Sequence, residues 1–264
     1  MTQTFPKIAI VYLAYHSDQY FPDMMRALKR VTYPKDRLAL VIVDNPHPEH
    51  GLSSAYVRAH VLPRSGQSLP EIVYLPQTEN LGFAGGNNAG MAWAMEHGFE
   101  YLYLHNDDGY VGHNAFRPLV EVMEKNSDIA MAQSLLLLYP ETHLLNNAGN
   151  AFHYLGFGFC NEYRTPRSRL TLPSVKDIAY GSGAAMMVRV SAAREHGLFD
   201  HNFYMYHEDL EWCFRMRTRG YRVVLVRDSL FFHKYQFGRS VEKLYFMERN
   251  RFGVLLLFFL VSIE

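Results

Sequence analysis

The chain has 264 residues, of which 48% are apolar and 20% are charged. This composition is typical of a globular protein and excludes a disordered or collagen-like chain. Lys and Arg number 26, as do Asp and Glu, so the sequence lacks the broad basic surface that sequence-independent nucleic-acid binding requires. The two cysteines, Cys160 and Cys213, are far apart and have no CxxC partner. Their placement argues against a disulfide scaffold or a zinc site and favours a reducing, cytoplasmic compartment.

Strand-like and helical patterns alternate in the first half of the chain. Helices are predicted over residues 20–30, where apolar side chains recur at helical spacing, and over residues 87–97, after a glycine cluster. Apolar runs typical of strands cover residues 8–14, 38–43, 72–75, 101–104 and 129–138. The alternation predicts βαβ units around a mostly parallel sheet. Residues 46–70 predict a loop with one short helix over residues 53–60.

The alternation is weaker after about residue 134. Residues 146–159 predict turns and short strands with aromatic faces, and residues 163–173 predict an exposed basic loop. Later elements are a strand at 184–190, a helix at 191–196 capped by Ser191, a helix at 208–219 ended by Gly220, and a strand at 221–226.

Polar residues follow three of the predicted strands, where ligands of open α/β sheets bind. They are Asp44-Asn45, the glycine-rich residues 80–90, and Asn106-Asp107-Asp108. Each has a structural alternative: a turn, close helix packing at the glycines, or an Asp-Gly turn. The glycine segment matches neither GxxxxGK[ST] nor GxGxxG, which argues against a Walker-type kinase or a dehydrogenase. What remains is a helix N-terminus, whose free N–H groups suit an anionic or polar ligand.

Two acidic clusters are candidates for chemistry. Asn106-Asp107-Asp108 suits a hard cation such as Mg²⁺, which takes one or two carboxylates and completes its shell with phosphates and water. Glu208 and Asp209 begin a predicted helix, whose dipole keeps an Asp ionised as a general base requires. His233 follows a short strand-like run and could complete a metal site. Charge at a helix start and a structural histidine are the alternatives.

In order and spacing, these motifs resemble the inverting GT-A glycosyltransferases of family 2, in particular the bacterial rhamnosyl- and galactofuranosyltransferases. The resemblance covers nearly the whole chain and rests on Val43-Asp44-Asn45, residues 80–87, Asn106-Asp107-Asp108, residues 181–184, residues 208–211 and His233. It implies an α/β, Rossmann-like GT-A fold for nucleotide-diphospho-sugar transfer, with a mostly parallel central sheet flanked by helices.

The resemblance also implies roles for individual residues. Asp209 matches the family's catalytic base, with Glu208 beside it, and Asp108 and His233 match ligands of a Mg²⁺ or Mn²⁺ ion. The first acid of the family's DxD motif is Asn106 here, which leaves open whether Asp107 also meets the metal. The nucleoside is expected at the first two of the donor-site residues, which are Asp44, Asn45, Asn80, Gly82, Gly85, Asn87, Asn106 and Asp107.

The implied function is metal-dependent, inverting hexosyl transfer in cell-surface polysaccharide or cell-wall biosynthesis. The donor would be dTDP-rhamnose or a UDP-sugar, and the acceptor a hydroxyl of a glycan or a lipid-linked glycan. We expect one domain over residues 1–251, with a nucleotide-sugar half at 1–134 and an acceptor half at 135–251. Two alternatives stay open: a non-catalytic nucleotide-sugar or glycan-binding module of the same fold, and a nucleotidyltransferase. Against the latter, residues 14–18 carry no glycine-rich basic phosphate loop.

The C-terminal residues 252–264 are the most apolar stretch, yet shorter than the roughly 20 residues of a membrane span. They predict a terminal helix on the core, a membrane-surface segment, or the start of a longer hydrophobic region. Lys243, Arg249 and Arg251 precede the stretch and would meet anionic headgroups at the inner face of the cell membrane. An aromatic acceptor platform is a further expectation, from Tyr180, Phe203, Tyr204 and Tyr206.

Overall fold

The first half of the chain builds four parallel strands in the computed structural model, which describes residues 5–235, 238 and 240–259. They are β1 (Ile8–Ala14), β2 (Leu38–Asp44), β3 (Glu71–Pro76) and β4 (Tyr101–Asn106). Their spatial order is β3-β2-β1-β4. Every residue of β1 and β2 is buried, which explains their continuous apolar runs, since a parallel sheet is covered on both faces. The predicted βαβ units are confirmed.

Three helices accompany these strands: α1 (Phe21–Arg30), α2 (Ser54–Tyr56, continued by a π-helical turn) and α3 (Gly82–Glu96). α3 begins five residues before the predicted start, because the glycines belong to the helix. A Cβ at Gly86 would collide with Leu13, and one at Gly90 would lie 2.7 Å from Val11. These two glycines therefore serve close packing of helix on sheet, which was the structural alternative.

The second half extends the sheet in mixed orientation. β11 (Ala185–Arg189) lies antiparallel between β4 and β6 (Ile129–Leu138), and β12 (Arg222–His233) runs parallel to β6. The full order is β3-β2-β1-β4-β11-β6-β12-β10. The parallel arrangement is thus confirmed for the first half, whereas the second half is mixed. The remaining strands are β5 (Gly109–Val111), β7 (Leu145–Asn147), β8 (Asn150–Phe152), β9 (Gly158–Cys160) and β10 (Val175–Asp177).

Several predicted boundaries are wrong. The strand expected to end at Val226 continues through an irregularity in register to His233, so His233 ends a strand of the central sheet. α5 (Val190–His196) begins before Ser191, and no side chain caps it, so Ser191 is not its cap. α4 (Phe116–Lys125) was not predicted. The expected division between the halves, at 134/135, stays a prediction, and residues on both sides of it belong to the one strand β6.

Two helices complete the second half, α6 (Glu208–Thr218) and α7 (Val241–Phe258). α7 buries Asn250 and Val254 and runs across the expected boundary at 251/252. For residues 241–258 the structure therefore has a terminal helix on the core; residues 260–264 lie outside the described part. Among the described residues, no helix combines the length and the apolar character that crossing a membrane demands.

Candidate functional site

A cavity of about 290 Å³ opens where β1, β2 and β4 end, and we call it the edge cavity. Its lining includes five of the predicted donor-site residues. The first turn of α7 forms another wall through Glu242 and Lys243, and Tyr204 and Tyr206 add aromatic surface. The predicted donor-site residues in the lining are Asn45, Asn80, Gly82, Asn106 and Asp107.

Asp44 and Asn45 have different surroundings at the end of β2. Asp44 is fully buried and does not line the edge cavity, and its Oδ2 accepts a 2.6 Å hydrogen bond from the Tyr74 hydroxyl. Burial raises the pKa of Asp44 to about 6. Asn45 Nδ2 donates to the Gly82 carbonyl at 3.0 Å, and Asn80 Oδ1 accepts from Gly82 N at 2.9 Å. The two asparagines therefore hold the start of α3.

Three predicted donor-site residues belong to α3: Gly82, its first residue, lines the edge cavity, whereas Gly85 and Asn87 lie further along the helix. Gly82 has a φ of +67°, and a Cβ there would lie 2.5 Å from the Tyr204 ring, so only glycine fits this turn. Asn87 is buried, and its Nδ2 donates to the Phe83 carbonyl of its own helix at 2.9 Å. A Cβ at Gly85 would meet the Leu81 side chain at 2.9 Å. Neither Gly85 nor Asn87 lines the edge cavity as described.

Two adjacent carboxylates follow β4. Asp107 accepts a short hydrogen bond from the Ser17 hydroxyl, and burial together with the charge of Asp108 raises its pKa to about 7. Burial also opposes ionisation of Asp108, but hydrogen bonds from His233 and Asn106 outweigh it and hold the pKa of Asp108 below its ordinary value. At neutral pH this turn therefore carries Asp108 as a carboxylate next to a half-ionised Asp107, a concentration of negative charge that suits a cation.

His233 meets Asp108 from the end of β12. Its Nε2 lies 3.0 Å from Asp108 Oδ1, and its Nδ1 lies 2.8 Å from Asn146 Oδ1. The hydrogen bond to Asp108 uses Nε2–H; the other tautomer, with Nδ1–H donated to Asn146, would leave the Nε2 lone pair for an ion shared with Asp108. One carboxylate oxygen and one imidazole nitrogen fit a divalent ion that draws further ligands from phosphates and water. No group of three or more His, Cys, Asp or Glu side chains placed for a metal occurs in the described ranges.

The second acidic cluster borders another cavity, of about 230 Å³, which we call the carboxylate cavity. Asp209 Oδ2 accepts from Gly183 N at 3.0 Å and Oδ1 from Leu210 N at 2.8 Å. Burial raises the pKa of Asp209 to about 6 despite these bonds. Burial and the charge of Asp209 raise the pKa of Glu208 well above its ordinary value. The pair therefore places Asp209, with a pKa near 6, beside Glu208, whose pKa is raised well above its ordinary value.

The segment before α6 is strained and tightly held, which no sequence pattern predicted. Tyr204, Tyr206 and His207 all have positive φ values, between 59° and 67°, at roughly 1–3 kcal/mol each. Asn250 of α7 holds the segment: its buried Nδ2 lies 2.6–2.8 Å from the carbonyls of Phe203, Met205 and Tyr206. A buried Asn in a helix is the sequence signal that could have revealed this role.

The two cavities adjoin each other. Tyr206 and Lys243 line both, and the Lys243 ammonium lies 5.1 Å from the centre of the Tyr206 ring. Burial lowers the pKa of Lys243. Lys243 was expected at a membrane surface, but the structure places it between the cavities, so that expectation is corrected. Of the predicted platform, Tyr180, Tyr204 and Tyr206 line the cavities, whereas Phe203 is buried.

A few buried polar atoms of the described residues have no hydrogen-bond partner, and one of them, on Glu208, borders the carboxylate cavity. In the described part of the chain four such side-chain atoms occur, on Asp44, His105, Asn146 and Glu208. Asp44 ends β2, His105 lies in β4, Asn146 holds His233, and Glu208 borders the carboxylate cavity. Because buried polar groups in folded proteins are normally paired, the Glu208 oxygen is available to a ligand in that cavity.

A model of the family described as "Glycosyl transferase family group 2" matches residues 101–250, which is more than half of the chain. A curated relative, the low-salt glycan biosynthesis hexosyltransferase Agl10 of Haloferax volcanii, is 22% identical over 219 residues. The match covers 82% of this chain and 63% of the relative.

Solved structures share the fold at low identity. GalNAc-T7 with UDP, GalNAc and Mn²⁺ superposes with a TM-score of 0.69 at 13% identity, covering 95% of this chain and 48% of that one. The mannosyltransferase PcManGT from Pyrobaculum calidifontis, with GDP-Man and Mn²⁺, gives 0.61 at 14% identity, covering 88% and 57%. These likenesses confirm the predicted GT-A fold. The chain spans less than two thirds of the length of each of these three proteins.

Proposed function

Because the chain belongs to the glycosyl transferase family group 2, we propose that it transfers a hexosyl group from a nucleotide-diphosphate sugar to an acceptor hydroxyl. The observation that carries the proposal is the pair of adjoining cavities. One is lined by Asn106 and Asp107, where β4 ends, with Asp108 next in the chain, and the other contains a half-buried Asp209 whose pKa lies near 6. A donor site next to an acceptor site with a general base is what direct transfer between two substrates requires.

The edge cavity would bind the donor. Asp44, next to Asn45 of the cavity lining, would accept a hydrogen bond from a nucleoside N–H or O–H, and Lys243 would bring a positive charge toward the diphosphate. Asp108 and His233 would hold a Mn²⁺ or Mg²⁺ ion, which when bound neutralises charge on the departing diphosphate. The mixed oxygen and nitrogen donors favour Mn²⁺, since Mg²⁺ prefers oxygen ligands alone. Asn106 and Asp107 would line the same site without direct metal contact.

The carboxylate cavity would bind the acceptor. Asp209 takes the proton of the acceptor hydroxyl while that oxygen forms a bond to the anomeric carbon of the donor. The bond between that carbon and the diphosphate oxygen breaks at the same time, on the opposite face. One displacement inverts the anomeric centre, with no covalent enzyme intermediate. Glu208, which lines the same cavity, would form a hydrogen bond with the acceptor.

The substrate classes follow from the sequence motifs and from the relatives. We propose a dTDP- or UDP-linked hexose such as rhamnose or galactofuranose as the donor, on the resemblance in motif order. We propose a glycan or lipid-linked acceptor in cell-surface polysaccharide assembly at the cytoplasmic side of the membrane. The similarity to a hexosyltransferase of glycan biosynthesis supports the latter.

Product analysis tests the proposal. The chain is incubated with Mn²⁺ and a panel of dTDP-, UDP- and GDP-sugars, with and without a lipid extract as acceptor. We expect the original chain to release the nucleoside diphosphate and Asp209→Asn to release none. The matched control Asp228→Asn should release it as the original chain does, because Asp228 is exposed and has no part in the proposed site. Release of pyrophosphate would instead identify a nucleotidyltransferase. Donor binding with no product would identify a non-catalytic binding module, the alternative that Asn106 at the first DxD position favours.

A further inference from the structure

Three buried amide side chains form a hydrogen-bonded network beside the carboxylate cavity, and the proposed mechanism does not use them. They are Gln133 in β6, Asn147 in β7 and Asn150 in β8, which are 0%, 2% and 4% exposed. Asn147 and Asn150 line the cavity. Both belong to residues 146–150, for which the sequence pattern predicts only turns and short strands. We call the three residues the amide network.

The backbone fixes the orientation of the first amide. Gln133 Oε1 accepts a hydrogen bond from Ser182 N at 2.8 Å, and Gln133 Nε2 donates to the Ser134 carbonyl at 3.1 Å. A backbone N–H can only donate and a backbone carbonyl can only accept. Exchanging the oxygen and the nitrogen of the Gln133 side chain would oppose donor to donor and acceptor to acceptor. One orientation of Gln133 therefore remains.

The orientation of Gln133 determines the orientation of the two asparagines. Gln133 Nε2 also donates to Asn147 Oδ1 at 3.3 Å, so Asn147 Nδ2 is the donor to Asn150 Oδ1 at 2.5 Å. Asn147 Nδ2 donates in addition to Cys160 Sγ at 3.4 Å. Each amide directs the next one, because an amide that accepts at its oxygen has only donors at its nitrogen. In Asn150, the last member, the oxygen is engaged and the nitrogen remains.

The nitrogen of Asn150 is open to the carboxylate cavity. Among the described residues no group accepts a hydrogen bond from Asn150 Nδ2, and this atom is not one of the four buried atoms without a partner. Asn150 lines the cavity together with Asp209. Because buried amides are normally hydrogen-bonded, a network that directs one NH₂ group into a cavity indicates a ligand oxygen at that place.

We propose that Asn150 determines acceptor specificity: its Nδ2 donates to a second oxygen of the molecule whose hydroxyl Asp209 deprotonates. Gln133 and Asn147 are positioning residues, which hold the Asn150 amide with its nitrogen toward the cavity. Both oxygens lie in one cavity of about 230 Å³, so the acceptor unit carries neighbouring oxygens, as the vicinal hydroxyls of a sugar ring do, and is not an isolated alcohol. The part of Asp209 rests on the proposed function, whereas sugar binding by Asn150 needs no catalysis.

Saturation-transfer NMR with methyl glycosides of neutral hexoses, and with their monodeoxy analogues, tests the proposal on the full chain. We expect a methyl glycoside to bind the original chain. Asn150→Asp keeps the shape of the side chain but replaces its N–H donor by an oxygen, and it should bind that glycoside at least about tenfold more weakly. One monodeoxy analogue should bind the original chain equally weakly. That analogue should lose no further affinity in Asn150→Asp, because the missing hydroxyl and the amide form one interaction.

Asn147→Asp tests the positioning role. An oxygen in place of Asn147 Nδ2 attracts the Asn150 nitrogen, so the Asn150 amide turns over and presents its oxygen to the cavity. We expect the same loss of glycoside binding and of selectivity for the same hydroxyl. Asn161→Asp is the matched control, because Asn161 follows β9 and lines neither cavity as described; its glycoside binding should stay within about twofold of the original chain. Nucleotide affinity within about twofold in all three variants shows that they are folded.

Two results would overturn the proposal: binding of no glycoside by the original chain, or equal binding by Asn150→Asp. A loss in Asn150→Asp without one in Asn147→Asp would overturn the positioning role. Glycoside binding that depends on Asn150, with no nucleoside diphosphate released from any donor, would refute the proposed function while the sugar site stands. Release of nucleoside diphosphate with the lipid extract at an unchanged KM in Asn150→Asp would refute the role of Asn150 while the proposed function stands.

Discussion

Replacing Asp44 by Asn should change how stability depends on pH, because Asp44 is a buried carboxylate whose pKa rises from an ordinary 3.8 to about 6. A raised pKa means that the folded state binds more protons than the unfolded state between these values. The unfolding free energy of the original chain therefore falls as pH rises through this window. Asn removes the titration and keeps an oxygen for the Tyr74 hydroxyl.

The magnitude follows from linkage. The full shift corresponds to about 3 kcal/mol, and about 2 kcal/mol of it develops between about pH 4.5 and about pH 7.5. Any fixed cost of placing an amide at this buried position cancels when the two pH values are compared. The stability of Asp44→Asn relative to the original chain should thus rise by about 2 kcal/mol across this range.

Urea unfolding, followed by tryptophan fluorescence at several pH values, measures the difference. Nucleotide affinity should fall about tenfold in the same variant at neutral pH, because the acceptor oxygen and its charge are lost. A stability difference that is constant across the pH range would refute the argument, since Asp44 would then ionise as an exposed carboxyl does.

Three further predictions concern the walls of the cavities. As pH is lowered, kcat should fall to half its maximum near pH 6, because Asp209 acts in its ionised form. A midpoint near pH 4 in kcat measured against pH would contradict this. Asn250→Ala should lower the unfolding free energy by about 2–3 kcal/mol, because its two N–H donors serve buried carbonyls. The same variant should lower kcat more than it lowers nucleotide affinity, because Asn250 positions the segment before α6. A loss of stability with no change in kcat would contradict this positioning role. Lys243→Met should weaken binding of UDP or dTDP about tenfold in calorimetry, and Lys7→Met, an exposed control, should leave it unchanged.

The sequence predicts the parallel half of the fold because its information is local. Buried strands such as β1 and β2 are continuous apolar runs, and the helices between them show their own periodicity. The antiparallel insertion of β11 between β4 and β6 depends on pairing across distant parts of the chain, which no short pattern encodes. The start of α3 was missed because Gly82, Gly85 and Gly86 together signal a turn, yet all three belong to the helix, and Gly86 packs closely on β1.

The order of motifs along the chain assigned to one site residues that no local sequence pattern connects. Asp108 and His233 are 125 positions apart and meet at 3.0 Å. The roles of Lys243 and Asn250 could not be predicted, because both depend on how α7 packs against the cavities and against the strained segment before α6. A lysine and an asparagine in a helix otherwise indicate a solvent-facing surface.

Titration calorimetry of nucleoside diphosphates, with and without Mn²⁺, tests the central claim most directly. The account predicts that one of UDP, dTDP or GDP binds in a Mn²⁺-dependent way. In Asp108→Ala that dependence is lost and affinity falls at least about tenfold, since a charged ligand of the metal is removed. The control Asp228→Ala makes the same change at an exposed position and should keep both the affinity and its dependence on Mn²⁺. Binding that is equal without Mn²⁺ and unchanged in Asp108→Ala would contradict the assignment of Asp108 and His233 to the donor site.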